Sequence, residues 1–481
     1  MKSDITNSNV ENKRLYLYDW LRIIATVFVV IGHSSYLVIP TSYGGVSYEL
    51  PSMVSNTYYS WLLDKIRFLS GWVYGFHMPL FFMLSGAVLA LKPIAPMDRF
   101  VKSKFKRLVI PYFVYGWLFM LPVKYLGDFY TKDSLKLAMQ GFLSGIDSGH
   151  LWFLTSLFWC MMAFVLIEKI VSKLSGTENR YVILMLSGLV YYFYTFIPFD
   201  ILGLKQGLSY LFWFALGYVF EKERAENGLW NNKKLFVALA VVLIIEILNV
   251  KYYILDQFFV TVVGSLLTLL IADICSRFLG KCTETGFWNF LTRNLFYIYI
   301  FHDPLEYIVL KYAFSNNWLL SSAGCYIYTF SRTVAVFIIS MLLGEFINII
   351  KSNLKEILSG EKETDPQKIK ANKFRNRVAA VVLFLMVIGF AVFKYNTRND
   401  LYACNLTDDN WTNGVFNWDK SVVLFNNTAS NYSKLSDAKK LKCGKEEYNI
   451  VNFQCDQVWI TIYLDKEAEN CAYPSVLKAS E

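Results

Sequence analysis

Arg22 and His33 lie ten residues apart inside the first long apolar run of the chain, 21–40. Lipid does not tolerate either side chain: a charge at mid-bilayer costs roughly 2.5 kcal/mol or more, so such groups face a protein interior or a watery cavity. Eleven helical steps advance about 16 Å and return to within about 20° of the same face. Arg22 then sits near one membrane surface, with His33 below it and past the middle of a hydrocarbon core about 30 Å thick. The pattern suits a cation that holds an anionic reactant and an imidazole that does chemistry deeper in. It also suits a boundary Arg snorkelling to the headgroups and a His bonded to a neighbouring helix.

Other groups could join that chemistry. Arg99, Lys102, Lys104, Lys106 and Arg107 concentrate cations where the third apolar run begins. Arg and Lys in such a cluster can cradle phosphates, though a basic loop is also an ordinary topology signal. A buried imidazole stays neutral more readily than a solvated one, and a neutral His can take a proton from a hydroxyl or carry an acyl group covalently. His77, His150 with Trp152, and His302 are candidate donors and walls for an acceptor, or structural donors. Glu306 and Arg332 flank a turn near Trp318–Leu319 at nearly equal distances, which places them at one depth as a buried ion pair. Its expected task is to hold the Pro304-kinked helix so that His302 faces the cavity; a purely structural clamp is the alternative.

The elements that position these residues are membrane helices. Hydrophobic residues make up 55% of the 481 and aromatics 17%, and apolar runs of spanning length recur. Eleven spans are expected, near 21–40, 72–91, 108–123, 151–171, 181–198, 207–220, 235–250, 254–275, 290–311, 324–350 and 378–393. No cleavable leader is expected before them, because residues 1–14 are polar and the first apolar run carries Arg22 and His33. With the N-terminus in the cytoplasm, the cytoplasmic segments hold 27 Lys plus Arg against about eight in the external loops between the first ten spans. That asymmetry accounts for most of the formal charge of +9 without nucleic acid.

The chain divides accordingly into a ten-span body at 1–350, a charged cytoplasmic linker at 351–377, an eleventh transmembrane helix at 378–393 and an extracytoplasmic domain at 394–481. Cys404, Cys443, Cys455 and Cys471 all lie in that last segment and read as two disulfides of unknown pairing. The tail has no His and no close Cys-x-x-Cys pair, so no metal is expected there. Its β-branched and aromatic run at 458–464 suggests a small, strand-rich, disulfide-stapled module.

Five stretches occur in an order that resembles acyltransferase family 3. They are Tyr18-Asp19-Trp20-Leu21-Arg22 followed by Gly32-His33; the run 78–86, ending Ser85-Gly86; Lys106-Arg107-Leu108-Val109-Ile110-Pro111-Tyr112; His150-Leu151-Trp152-Phe153-Leu154; and Tyr299-Ile300-Phe301-His302-Asp303-Pro304-Leu305. The resemblance covers roughly 15–350. It implies an integral membrane enzyme that moves an acyl group, commonly acetyl, from cytoplasmic acyl-CoA to a carbohydrate or related acceptor, with no metal, in the plasma (inner) membrane. Arg22 and His33 would be its essential pair, with His302 as a further catalytic candidate. Asp19, Arg99, Lys106, Arg107, His77, His150 and Trp152 are the candidate substrate-binding residues. The tail departs from fused members that carry a serine-hydrolase-like domain, since it has about 88 residues and no Gly-Asp-Ser motif. A carrier or flippase would also use intramembrane His, Arg and Glu, but no repeat pairing supports it. A sensor with a ligand-binding tail would need a signalling motif in the linker, and 351–377 has none.

Overall fold

A computed structural model describes residues 2–34, 57–127, 132–228, 232–252, 255–312 and 322–359, short pieces at 38–39, 46–47, 129–130 and 376–377, and some backbone strands of the tail. The body is helical: α1 Lys2–Ser34, α2 Thr57–Ala90, α3 Met97–Leu126, α4 Lys132–Ser144, α5 Trp152–Ser175, α6 Arg180–Phe193, α7 Leu211–Asn227, α8 Asn232–Tyr252, α9 Gln257–Phe278, α10 Gly286–Tyr312 and α11 Ser322–Ser359. Six stretches among the described residues are long and apolar enough to cross a bilayer: Tyr16–Ser34, Phe68–Ala90, Met97–Leu126, Ser134–Ser175, Gln257–Phe278 and Thr329–Leu354. The chain is a multi-pass, all-α membrane protein over this body. A helix also covers each of the other expected spans up to the tenth, and among these α10 carries Arg293, Asp303 and Glu306.

Three boundaries differ from the sequence reading. The first span ends at Ser34 and not at Pro40, and Val38–Ile39 pairs instead with Val46–Ser47 as a short antiparallel ladder. His33 therefore lies in the last turn of α1. The helix of the tenth span, α11, runs on through Ser359, nine residues into the segment read as linker. Between the third and fourth spans stands α4, which the sequence reading lacks; its Ala138 and Phe142 are fully buried. The eleventh span at 378–393 and the turn near Trp318–Leu319 lie outside the described residues. In the tail, strands Leu424–Asn426 and Asn449–Cys455 each pair antiparallel with Val458–Leu464. The cysteine side chains there lie outside the described residues, and so does the disulfide question.

Prolines shape the helices around the core. Proline has no N–H to give to the carbonyl four residues earlier. In α3, Pro111 and Pro122 would face Arg107 and Leu118, and each of those residues lies in a π-helical turn, Phe105–Val109 and Gly116–Met120. The wider turns re-route the ladder past each missing donor. In α2, Pro79 leaves the carbonyl of Gly75 without its helical partner. Thr261 Oγ1 and Gln257 Nε2 of α9 each donate to that oxygen at 2.8 Å.

One crossing brings two backbones into direct contact. A Cβ built on Gly86 of α2 would lie 1.9 Å from the carbonyl oxygen of Phe214 in α7, and one on Gly217 would lie 1.9 Å from that of Met83. The close approach is reciprocal, so a side chain at either position would force α2 and α7 apart, as at the small-residue contacts of membrane helices. This accounts physically for the glycine that ends the 78–86 stretch.

Candidate active site

A cavity of about 1140 Å³ opens between α1, α2, α3, α5 and α10. The chain has four histidines, and all of them, His33, His77, His150 and His302, line it. So do six cations: Arg22, Lys92, Arg99, Lys104, Arg107 and Arg293. No carboxylate is among the described residues that line it. The two kinds of group sit at opposite ends. Along α1, Arg22 precedes His33 by eleven residues, and along α10, Arg293 precedes His302 by nine, which is about 16 and about 14 Å of helix. Along α2 the order is reversed, with His77 well before Lys92, which stands two residues past the helix's end. One end of the cavity is therefore cationic and the other is built of imidazoles.

The imidazole end is tightly organised. The ring of His302 lies 4.8 Å from that of His33 and 5.3 Å from that of His150, edge-on to both. His302 Nδ1 faces the backbone oxygens of Tyr299 at 2.8 Å and Ile298 at 3.1 Å. Carbonyls only accept, so Nδ1 carries the hydrogen and Nε2 presents a lone pair. That Nε2 is buried and has no hydrogen-bond partner. His77 donates from Nδ1 to the Val73 oxygen at 3.0 Å, and the Tyr74 ring stands between it and His33, at 4.6 and 5.9 Å.

Behind these rings lies a group that the sequence reading left outside the site. Asp303 Oδ1 is 3.1 Å from His33 Nδ1, while Oδ2 is 3.1 Å from His150 Nδ1 and 2.7 Å from Lys124 Nζ. Lys124 is 4% exposed and also lies over the rings of Phe129 and Tyr307. His150 sits on the 3-10 turn Gly149–Leu151 that leads into α5, and its Nε2 donates to the Ile300 oxygen at 2.8 Å. Ile300 lies four residues before Pro304, so its oxygen is the one that this proline leaves vacant.

Glu306 and Arg332 are both fully buried and meet at 2.5 Å. Their further contacts reach the end of α1. Ser34 Oγ donates to Glu306 Oε1 at 2.6 Å, and Arg332 Nη1 donates to the Ser34 backbone oxygen at 2.9 Å. A longer contact, 3.5 Å, runs from Arg332 Nη2 to the His33 oxygen. The pair thus also holds the end of α1 beside His33, where a helix leaves carbonyls unsatisfied.

The cationic end is looser. Arg22 is paired with Asp19, and its side chain is 43% exposed. Arg293, equally exposed, donates to Glu345 at 2.7 Å. Lys92, Arg99 and Arg107 are exposed at the rim. Trp152 lines the wall and stacks on Tyr210 at 5.8 Å. Two of the expected binding residues stand off the cavity: Asp19 reaches it only by holding Arg22, and Lys106 is not in its lining, whereas Lys104 and Arg107 are. The π-helical turn Phe105–Val109 changes the angular spacing there, so the sequence could not tell which of these cations points inward. Lys92, Arg293, Lys124 and Asp303 were not among the expected site residues. Arg293 and Asp303 carried the one available signal, a charge inside an apolar run.

The model of the acyltransferase domain of acyltransferase family 3 matches residues 15–346, and the chain belongs to that family. No curated protein and no solved structure matches it.

Proposed function

We propose that this membrane acyltransferase takes an acyl group, acetyl in the simplest case, from cytoplasmic acyl-CoA and places it on a hydroxyl of a cell-surface glycan or its precursor. The observation that carries the reading is the division of one cavity into a cationic end and an end holding every histidine of the chain. A coenzyme A thioester is polyanionic at its nucleotide and neutral at its reacting carbonyl. Arg22, Lys92, Arg99, Lys104, Arg107 and Arg293 supply charge-assisted bonds for the phosphates. The thioester then reaches inward to His33.

In the transfer step His33 Nε2 accepts the proton of the hydroxyl while the acceptor oxygen bonds to the thioester carbon. The C–S bond breaks, and the proton passes to the departing sulfur, giving the ester and free thiol. The lone pair on His302 Nε2 orients an acceptor hydroxyl by receiving its hydrogen bond, and Trp152 and Tyr210 offer flat faces for a sugar. No metal enters this scheme. The positive-inside distribution of Lys and Arg supports a cationic end and an N-terminus in the cytoplasm, and the proposed membrane is the plasma (inner) membrane. The disulfide-stapled tail, carried by an eleventh helix, then lies outside.

The test is transfer of label from acetyl-CoA by the purified full chain in vesicles, together with NMR of surface glycans from cells with and without the protein. Loss of O-acetyl signals in cells lacking it supports the reading. Unchanged spectra with no turnover of labelled acetyl-CoA overturn it and favour a carrier for glycans or acids.

A further inference from the structure

We propose that Asp303 and Lys124 are positioning residues for His33: the carboxylate fixes which imidazole nitrogen is basic, and the ammonium fixes the carboxylate. The inference rests on the acyl-transfer reading above. Asp303 Oδ1 faces His33 Nδ1 at 3.1 Å, and a carboxylate can only accept from that nitrogen. The hydrogen is thereby kept on Nδ1, and the lone pair is directed to Nε2. A neutral imidazole left to itself exchanges between two tautomers and rotates, and either change removes the base from a bound hydroxyl.

Asp303 needs help to do this. Its side chain is 7% exposed, and an isolated carboxylate at such a place is costly. Lys124 Nζ meets Oδ2 at 2.7 Å with its own side chain 4% exposed, so each charge answers the other. The second contact of Oδ2 is His150 Nδ1 at 3.1 Å. His150 gives its Nε2 hydrogen to the Ile300 oxygen, which fixes the ring beside Oδ2. Lys124, His150 and His33 are the titratable groups that face Asp303 within ion-pair distance, and His302 packs against both imidazoles. Oδ2 is thus held on two sides while Oδ1 is left to His33. The four residues come from α1, α3, α10 and the turn before α5, which is why no local motif announces them.

The test is turnover of labelled acetyl-CoA by full-length variants in vesicles, with folding followed by thermal unfolding. Asp303→Asn keeps the shape but no longer selects the tautomer; kcat should fall by about 10²-fold or more with the KM for acetyl-CoA held within about twofold. Asp303→Glu should recover part of the rate. Lys124→Met should lower kcat by about tenfold, and Lys124→Arg should restore most of it. If either single variant fails to fold, the double variant Asp303→Asn with Lys124→Met leaves no unpaired charge and supplies the measurement; it should fold and stay slow. A folded Asp303→Asn or double variant with wild-type kcat overturns the proposal. His33→Ala separates this from the functional reading: if it turns over normally, that reading fails and the proposal with it. If it is inactive while folded Asp303→Asn is not, only the proposal falls.

Discussion

The two ends of the cavity are built on different principles. At the imidazole end His302, His150 and Asp303 are almost wholly buried, and His302 Nδ1, both His150 nitrogens and both Asp303 oxygens lie against named protein atoms. At the cationic end Arg99, Arg107 and Lys92 stand exposed at the rim, and Arg22 and Arg293 are each shared with a carboxylate while about two-fifths exposed. Fixed groups suit a step in which a proton must move between atoms at set distances. Mobile cations suit the capture of a flexible polyanion, where attraction over several ångströms matters more than one geometry. The comparison teaches that substitutions at one end should act on kcat, and at the other on the concentration of donor required.

The largest effect should come from His33→Ala, with kcat lowered by about 10² to 10⁴-fold and an unchanged unfolding temperature. Turnover near wild type would erase the contrast between the ends. Next comes the clamp on α1. Arg332→Met leaves Glu306 buried and unpaired, and should destabilise the protein by about 3–5 kcal/mol in chemical denaturation. The charge exchange Glu306→Arg with Arg332→Glu should regain expression relative to either single change. An exchange as damaging as the two singles together would show that the pair does not act as a unit.

At the cationic end, Arg107→Gln should raise the KM for acetyl-CoA by about tenfold, the loss of a charge-assisted bond of about 1.5–3 kcal/mol. The kcat should be nearly unchanged, and the effect should shrink at high salt. Lys106→Gln sharpens the point, because Lys106 is off the lining and its KM should stay within about twofold of wild type. Equal shifts for the two variants would mean that general basicity, and not the inward-facing side chain, attracts the donor.

The smallest effect distinguishes the prolines. Pro304→Ala returns an N–H that competes with His150 for the Ile300 oxygen, so kcat should fall by roughly threefold to tenfold with no loss of stability, since Ala favours a helix more than Pro. Pro79→Ala competes only with Thr261 and Gln257 for the Gly75 oxygen. Its kcat should not change. The reverse pattern would place the functional weight on α2.

Much of the helical body could be read from apolar periodicity, because a spanning helix writes its length directly into the sequence. The spacing of Arg22 and His33 placed both on one face, and both line one cavity. Equal depth placed Glu306 opposite Arg332, and they meet. The illegible parts share a physical cause: they depend on contacts between distant elements. Lys124 follows directly on an apolar run and looks like a boundary charge, and only its approach to Asp303, 179 residues later, marks it as part of the site. That the clamp also grips the end of α1 needed the position of Ser34 as well as the depth of the pair. Lys106 and Arg107 both lie in a π-helical turn whose angular spacing the sequence does not announce, and of the two Arg107 lines the cavity. The tail cysteines have no described side chains against which to weigh the stapled module.

The two π-helical turns of α3 turn residue counting into a design constraint. Each turn closes on one residue more than an α-helical turn does, and each residue added to or removed from a regular helix rotates everything after it by about 100°. Lys124 comes after both turns. A one-residue deletion in the regular helix at 110–115 would swing it off Asp303, although no site residue had been altered. For anyone comparing or engineering such chains, the length of α3 between Met97 and Lys124 is therefore as much a part of the site as the identity of the lysine, and an alignment gap there should be read as a change of function.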